Sequence, residues 1–334
     1  MFSIDEMALS VLQAAPPPDE ESKRALEARA ANVLRPAGAL ARLDAVAAWL
    51  GSWQRTTKPQ VSKPAVVVFV ADHGVTSEGV SAYPAEVTVA MLRALNEGVA
   101  TAAAMSRSVG AQLLVLDVGV GDPTGNIAVE PALSDARFTQ CFETGREAVA
   151  TLDTDLLIFG EMGIGNTTPA AAVAATLFGG PAEEWTGRGT GVDDETWARK
   201  VDAVERARAR VAPDARPLEI LRQVGGAELA AIAGAMTEAR SRSIPVLLDG
   251  FVVTAAVAPL AVLHAGALDN AIAGHRSPEP GHAMLLDKLG LEPLLDLNMR
   301  LGEASGALAA LPLVRLAATV VVDVATFEEW GLTR

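Results

Sequence analysis

The segment Gly160-Glu161-Met162-Gly163-Ile164-Gly165-Asn166-Thr167-Thr168-Pro169 sets a carboxylate inside a glycine-rich turn. An apolar run, Asp155 to Phe159, precedes it and an Ala-rich helical run, Ala170 to Leu177, follows. The segment therefore reads as strand, turn and helix N-terminus. Such a turn lets backbone N–H groups approach an anion, and the helix dipole favours negative charge there. Glu161 would repel a phosphate laid directly on it, so it is expected to face another part of the ligand. The spacing is neither a Walker P-loop nor G-x-G-x-x-G. A second glycine-rich loop, Gly187 to Asp194, precedes a helix that Asp193 or Asp194 can cap, with Lys200 inside it. It reads either as a capped helix with a solvated lysine or as backbone amides holding a phosphate beside a counter-charge. Gly274 to His282 is a rigid Pro/Gly loop in which Ser277 could reach phosphate oxygens, although an ordinary surface loop has the same composition. In Met299 to Ala307, Glu303 stands between small residues before an apolar helix. It could be a helix-terminal carboxylate or a general base.

These loops need elements to hold them. Ala65 to Val70, Gln112 to Val118, Asp155 to Phe159 and Ile244 to Leu248 are short apolar runs without alternation, as buried parallel strands require. Helical patterns lie between them at Pro84 to Ser108, Thr168 to Leu177, Thr196 to Arg210 and Ala227 to Ser241. The expected fold class is α/β, with a Rossmann-like parallel sheet flanked by helices. All four strand exits carry Gly with Asp, His or Glu nearby, and ligands bind at that end of such sheets. Residues 1 to about 60 read as helical, with Leu40 to Leu50 stopping at Gly51. The C-terminal third reads as helices over Met284 to Leu295 and Glu303 to Val324. The terminal segments, 1–60 with about 305–334, are expected to form a small helical subdomain beside an α/β domain over 61–304.

Composition removes several function classes. Of 334 residues half are hydrophobic, and the net charge of −14 with a pI of about 4.8 leaves no basic patch for nucleic acid. The acidity itself reads as a solubility property. Cys141 is the one cysteine, so no intramolecular disulfide framework or Cys-rich metal site is available; it reads as a small buried hydrophobe. Asp72-His73-Gly74 could start a metal site, but His264, His275 and His282 do not supply zinc-site spacing. Asp72 or His73 is instead expected to fix the turn by hydrogen bonds. The longest apolar stretch, Val252 to Leu268, contains Pro259 and His264 and falls short of the roughly 20 residues of a membrane span. It reads as a buried helix. No basic-then-apolar leader is evident at the N-terminus, and a cytoplasmic protein without membrane contact is expected. No Gly-x-Ser-x-Gly elbow is present to support hydrolase chemistry.

Taken together, the motifs resemble the nicotinate-nucleotide–dimethylbenzimidazole phosphoribosyltransferase family of cobalamin nucleotide assembly. The matching pieces are LRPAGALARLD (34–44), ADHGVTSEGVSAYPAEVT (71–88), GEMGIGNTTPAAA (160–172), the 187–200 loop and VGG (224–226). They continue with PVLLDGF (245–251), GHRSPEPGH (274–282) and LGLEPLLDLNMRLGEASGA (289–307). The resemblance implies transfer of 5-phosphoribose from nicotinate mononucleotide to 5,6-dimethylbenzimidazole in a single displacement, with neither metal nor cofactor. It places the general base at Glu303, with Glu161 and Lys200 near the ribose or nicotinate. It implies a phosphate cradle of Gly163, Gly165, Asn166, Thr167, Gly189, Gly191 and Ser277. Tyr83, Pro84 and Met91 would line the base pocket, although packing of a helix face would produce the same residues. The resemblance also implies a homodimer.

The chain departs from the family pattern in three places. Ala304 stands where Gly is usual after the glutamate. Val89, Ala90 and Met91 occupy a segment that often carries glutamine, which would make the base pocket more apolar. The LRPAGALARLD segment lacks the usual Lys-Pro and Gly-Ser. The rival readings are a paralogue using adenine, a phenol or another benzimidazole, and a phosphate-ligand binding protein without turnover.

Overall fold

The computed structural model describes residues 3–333, and within them five strands form one parallel sheet. They are β1 (Pro64–Ala71), β2 (Gln112–Gly119), β3 (Leu156–Met162), β4 (Val246–Leu248) and β5 (Ala271–Ala273), in the order β2-β1-β3-β4-β5. The α/β sheet flanked by helices is as expected from the sequence. β5 escaped the sequence reading because three residues leave no measurable periodicity; its pairing with β4, Leu247 beside Ile272, defines it.

Both faces of the sheet are covered, which explains the uninterrupted apolar runs. Val66, Val68 and Val70 join Leu156, Ile158 and Leu247 on one face, against the helices Ala41–Gln54 and Ser305–Val322. Val67, Phe69 and Ala71 join Leu157, Phe159 and Leu248 on the other, against Thr167–Phe178, Ala227–Ser241 and Phe251–Leu263. Of the terminal segments, the helices Glu20–Asn32, Ala41–Gln54 and Ser305–Val322 pack together, whereas the helix Ile4–Ala14 lies against Ala227–Ser241 on the opposite side. Among the described residues one helix, Ser305–Val322, is long and apolar enough to cross a bilayer, and more than half of it is buried against this fold.

The structure differs from the sequence reading in five places. The expected helix over 84–108 is two helices, Val87–Asn96 and Thr101–Val109, broken at Gly98, whose φ of +75° terminates the first. The helix expected to stop at Gly51 runs through it to Gln54, because Gly51 is where Leu26 of the neighbouring helix sits; a Cβ there would lie 2.1 Å from Leu26 Cδ1. The expected helix over 284–295 is Pro280–Leu289, ended by Gly290 at φ +66°. Glu303 lies outside the last helix, which starts at Ser305. The helix Asp135–Ala150 was missed, although Phe138, Cys141, Phe142, Gly145 and Val149 mark its buried stripe. Cys141 is buried there, and desolvation pushes its thiol up to about 11.

Candidate active site

The chain runs from β1 outward to β2, then returns across β1 to β3, so its winding direction reverses between β1 and β3. Ligands bind outside the carboxyl ends of the strands at such a reversal. A cavity of about 390 Å³ opens there, lined by the turns after β1 and β3 and by the 187–192, 275–279 and 299–303 loops.

Glu303 lies on the cavity wall, 2% exposed. Glycines bring its turn against the sheet. A Cβ on Gly160 would lie 2.5 Å from Ala304 N, and one on Gly302 would lie 2.6 Å from Glu161 Oε1. Glu303 N–H donates to Glu161 O at 3.1 Å, tying the turn to the end of β3. The Glu303 Oε2 accepts from Ala102 N–H at 3.4 Å, at the start of the helix broken off by Gly98. Desolvation raises the Glu303 pKa, and the Ala102 amide opposes this. Glu303 (φ +56°) and Ala304 (φ +63°) are both left-handed, a conformation costing roughly 1–2 kcal/mol per non-glycine residue. That is the physical reason a glycine suits position 304.

Glu161 is buried and accepts a hydrogen bond from Asn166 Nδ2. Burial pushes its pKa up to about 8, with Glu228, Asp249 and Glu303 adding repulsion. A raised carboxyl pKa stabilises the folded state below the unfolded value of 4.5, and that contribution is lost as pH rises through 8. Glu161→Gln cannot ionise. It is expected to match wild type in Tm near pH 4.5 and to exceed it by several degrees at pH 9, as a scanning calorimetry series would show. Parallel Tm curves for the two proteins would refute the burial of this charge.

A buried lysine at a helix N-terminus gives the cavity a place for an anion. Lys200 is 2% exposed, and its Nζ donates to Thr167 Oγ1 at 3.0 Å and to Gly187 O at 2.9 Å. Desolvation lowers its pKa, while the Glu279 charge pulls the other way. Thr167 opens the helix Thr167–Phe178, so the lysine and the positive end of a helix dipole converge. Gly163, Gly165, Asn166, Gly189 and Ser277 line the same cavity; Gly165 (φ +86°) and Gly189 (φ +53°) make the turns possible. Gly191 and Pro84 lie off the wall, Gly191 under Arg300, while Tyr83 and Met91 line the cavity with Val80 and Val87.

The structure adds residues that the sequence reading did not single out. Arg188, Arg300, His275 and Glu279 all line the cavity. Glu279 Oε1 accepts from Gly189 N–H at 2.7 Å and so fixes the second glycine loop. Glu279 and Arg300 lie within two of the matched motifs, and that was the one available signal for them. Ser277 is oriented by His282, whose Nδ1 accepts from Ser277 N–H at 3.0 Å; its Nε2 is therefore protonated, facing Thr254 Oγ1 at 3.1 Å. Burial drops the His282 pKa to about 3, keeping the ring neutral. Asp72 and His73 act as turn fixers. Asp72 accepts from Gly121 N–H at 2.8 Å, and His73 pairs with buried Glu228 at 2.6 Å.

A family model described as phosphoribosyltransferase matches residues 15–332. A protein of Mesorhizobium japonicum named nicotinate-nucleotide–dimethylbenzimidazole phosphoribosyltransferase is 48% identical over 332 residues, 99% of this chain and 98% of its own length. The chain belongs to that family. A family member of the same name from Methylorubrum extorquens is 45% identical, over 96% of this chain and 94% of its own. The crystal structure of CobT from Thermus thermophilus superposes with a TM-score of 0.90 at 42% identity, covering 94% of this chain and 99% of that one. In the family's terms, the phosphoribosyltransferase fold here presents one cavity lined by buried carboxylates and by a buried lysine at a helix N-terminus.

Proposed function

We propose that this cavity transfers the 5-phosphoribosyl group of nicotinate mononucleotide to 5,6-dimethylbenzimidazole, giving α-ribazole 5′-phosphate and nicotinate. The observation that carries the reading is one cavity that combines a buried lysine at a helix N-terminus with the buried carboxylates Glu161 and Glu303. The phosphate suits the end with Lys200, Thr167, Gly189 and Ser277, where a buried ammonium and a helix N-terminus act together. The cationic nicotinate ring and the ribose carbon that gains positive charge suit the end with Glu161 and Glu303.

Glu303 takes the N–H proton of the benzimidazole. The other ring nitrogen attacks the anomeric carbon as the bond to the nicotinate nitrogen breaks, and that electron pair neutralises the pyridinium. Attack opposite the leaving group turns a β-linkage into an α-linkage without a covalent enzyme intermediate. Val80, Val87 and Met91 offer the acceptor an apolar wall, which suits a methylated benzimidazole better than adenine.

The direct test mixes purified protein with both substrates and analyses the products. Nicotinate release with an α-ribazole phosphate is expected. Release with adenine or a phenol, but not with dimethylbenzimidazole, would favour a different acceptor. Lys200→Met is expected to raise KM for the mononucleotide by about 10- to 100-fold with a smaller change in kcat, as loss of one charged hydrogen-bond donor predicts. An unchanged KM would remove Lys200 from the phosphate end. The homodimer, the cytoplasmic location and the grouping of residues 1–60, less the helix Ile4–Ala14, with about 305–334 belong to the same proposal. Exposed Tyr83, Val89 and Leu301 around the cavity support the dimer, and light scattering in solution tests it.

A further inference from the structure

We propose that Asp249 is a positioning residue for Glu303, holding that carboxylate in place by anchoring the first turn of the helix that follows it. The inference rests on the assignment of Glu303 as general base. Asp249 follows β4, is 1% exposed and does not line the cavity. Its Oδ1 accepts from Gly306 N–H at 2.8 Å and from Ala307 N–H at 3.0 Å. Those amides belong to the first turn of the helix Ser305–Val322. Ala304 occupies the capping position of that helix and has no side-chain oxygen to offer, so a carboxylate 57 residues earlier in the chain performs the cap.

Glu303 is thereby tied on both sides. Upstream its own N–H bonds to the end of β3 through Glu161 O; downstream the helix it leads into is tied to the end of β4 through Asp249. Two consecutive left-handed non-glycine residues persist only where the surroundings over-determine them, and these two anchors do so. His275 completes the clamp. Its Nε2 lies 3.6 Å from Asp249 Oδ1, and its ring packs so closely on Gly306 that a Cβ there would lie 2.0 Å from Cδ2.

The test is a double-mutant cycle with Asp249→Ala and Glu303→Gln, assayed with nicotinate mononucleotide and dimethylbenzimidazole. Asp249→Ala is expected to lower kcat by about 10- to 100-fold, as displacement of a catalytic group by an ångström does. KM for the mononucleotide should change little, because the phosphate end is untouched. In the Glu303→Gln background the same substitution should lower kcat no further, while its loss of Tm persists. Asp249→Asn keeps an acceptor oxygen in place and is expected to fall between wild type and the Ala variant, about three- to tenfold below wild type. Should the Ala variant fail to fold, the cycle is run with Asn, whose kcat loss must likewise vanish in the Glu303→Gln background. Unchanged kcat in a folded Asp249 variant, or losses that multiply with that of Glu303→Gln, would overturn the role. Normal turnover by Glu303→Gln alone would overturn the base assignment, and this role with it.

Discussion

Glu303→Gln is expected to lower kcat by on the order of a hundredfold or more while the fold stays intact, in line with the 10²–10⁴ contribution of a positioned base. Gln preserves the shape of the side chain and can still accept from Ala102 N–H, so the helix start it faces keeps its partner. What it loses is the ability to take a proton. Burial raises the pKa of Glu303, which makes it a stronger base than a solvated carboxylate once ionised. The acid limb of the kcat profile should therefore sit above the ordinary carboxylate range in the wild type and flatten in the variant. KM for nicotinate mononucleotide should change far less than kcat. Circular dichroism and Tm establish folding, and steady-state kinetics read the rest. A folded variant within threefold of wild-type kcat would mean that the acceptor loses its proton elsewhere.

Gly234→Ala is expected to cost roughly 3 kcal/mol or more, at the upper end of overpacking penalties. The helices Asp135–Ala150 and Ala227–Ser241 cross with their backbones in contact. A Cβ on Gly234 would lie 1.9 Å from Phe142 O, and one on Gly145 would lie 1.8 Å from Ala231 O. In an isolated helix Ala is better than Gly by about 1 kcal/mol, so propensity alone predicts a gain. Packing wins because the obstructing atom is a backbone oxygen inside another helix, which cannot rotate away. Separating the helices would also move Glu228, which holds His73 behind Gly163. Thermal melts should show a Tm lower by at least about 4 °C. A Tm within about 2 °C of wild type, in a melt read by scanning calorimetry, would show that the crossing has slack that the backbone contacts deny.

Much of the site was legible because each chemical group sits in a local context with its own signature. The apolar runs before Asp72, Gly160 and Asp249 mark strands buried on both faces, and their polar exits mark the ligand end of the sheet. The glycines at 163, 165 and 189 announce close backbone approach, and all three reach the cavity. Glu161 and Glu303 stood out as charged residues among small or apolar neighbours, and Lys200 by following a glycine-rich loop; all three are buried on its wall.

Other features depend on groups far apart in the chain. Asp249 caps a helix through an amide 57 residues later, Glu279 fixes a loop 90 residues earlier, and Glu228 holds a histidine 155 residues away. None leaves a periodic trace, because side-chain periodicity records which face is buried and not what that face meets. Whether Glu303 served as a helix-terminal carboxylate or as a base was likewise open, since both fit the same small-residue spacing. The sequence by itself determined a parallel α/β sheet with chemistry at its strand exits and the types of group available there. Only the tertiary structure decided which exits converge and which carboxylates lose their water. Desolvation depends on every element packed around a group, and no local stretch of chain contains that information.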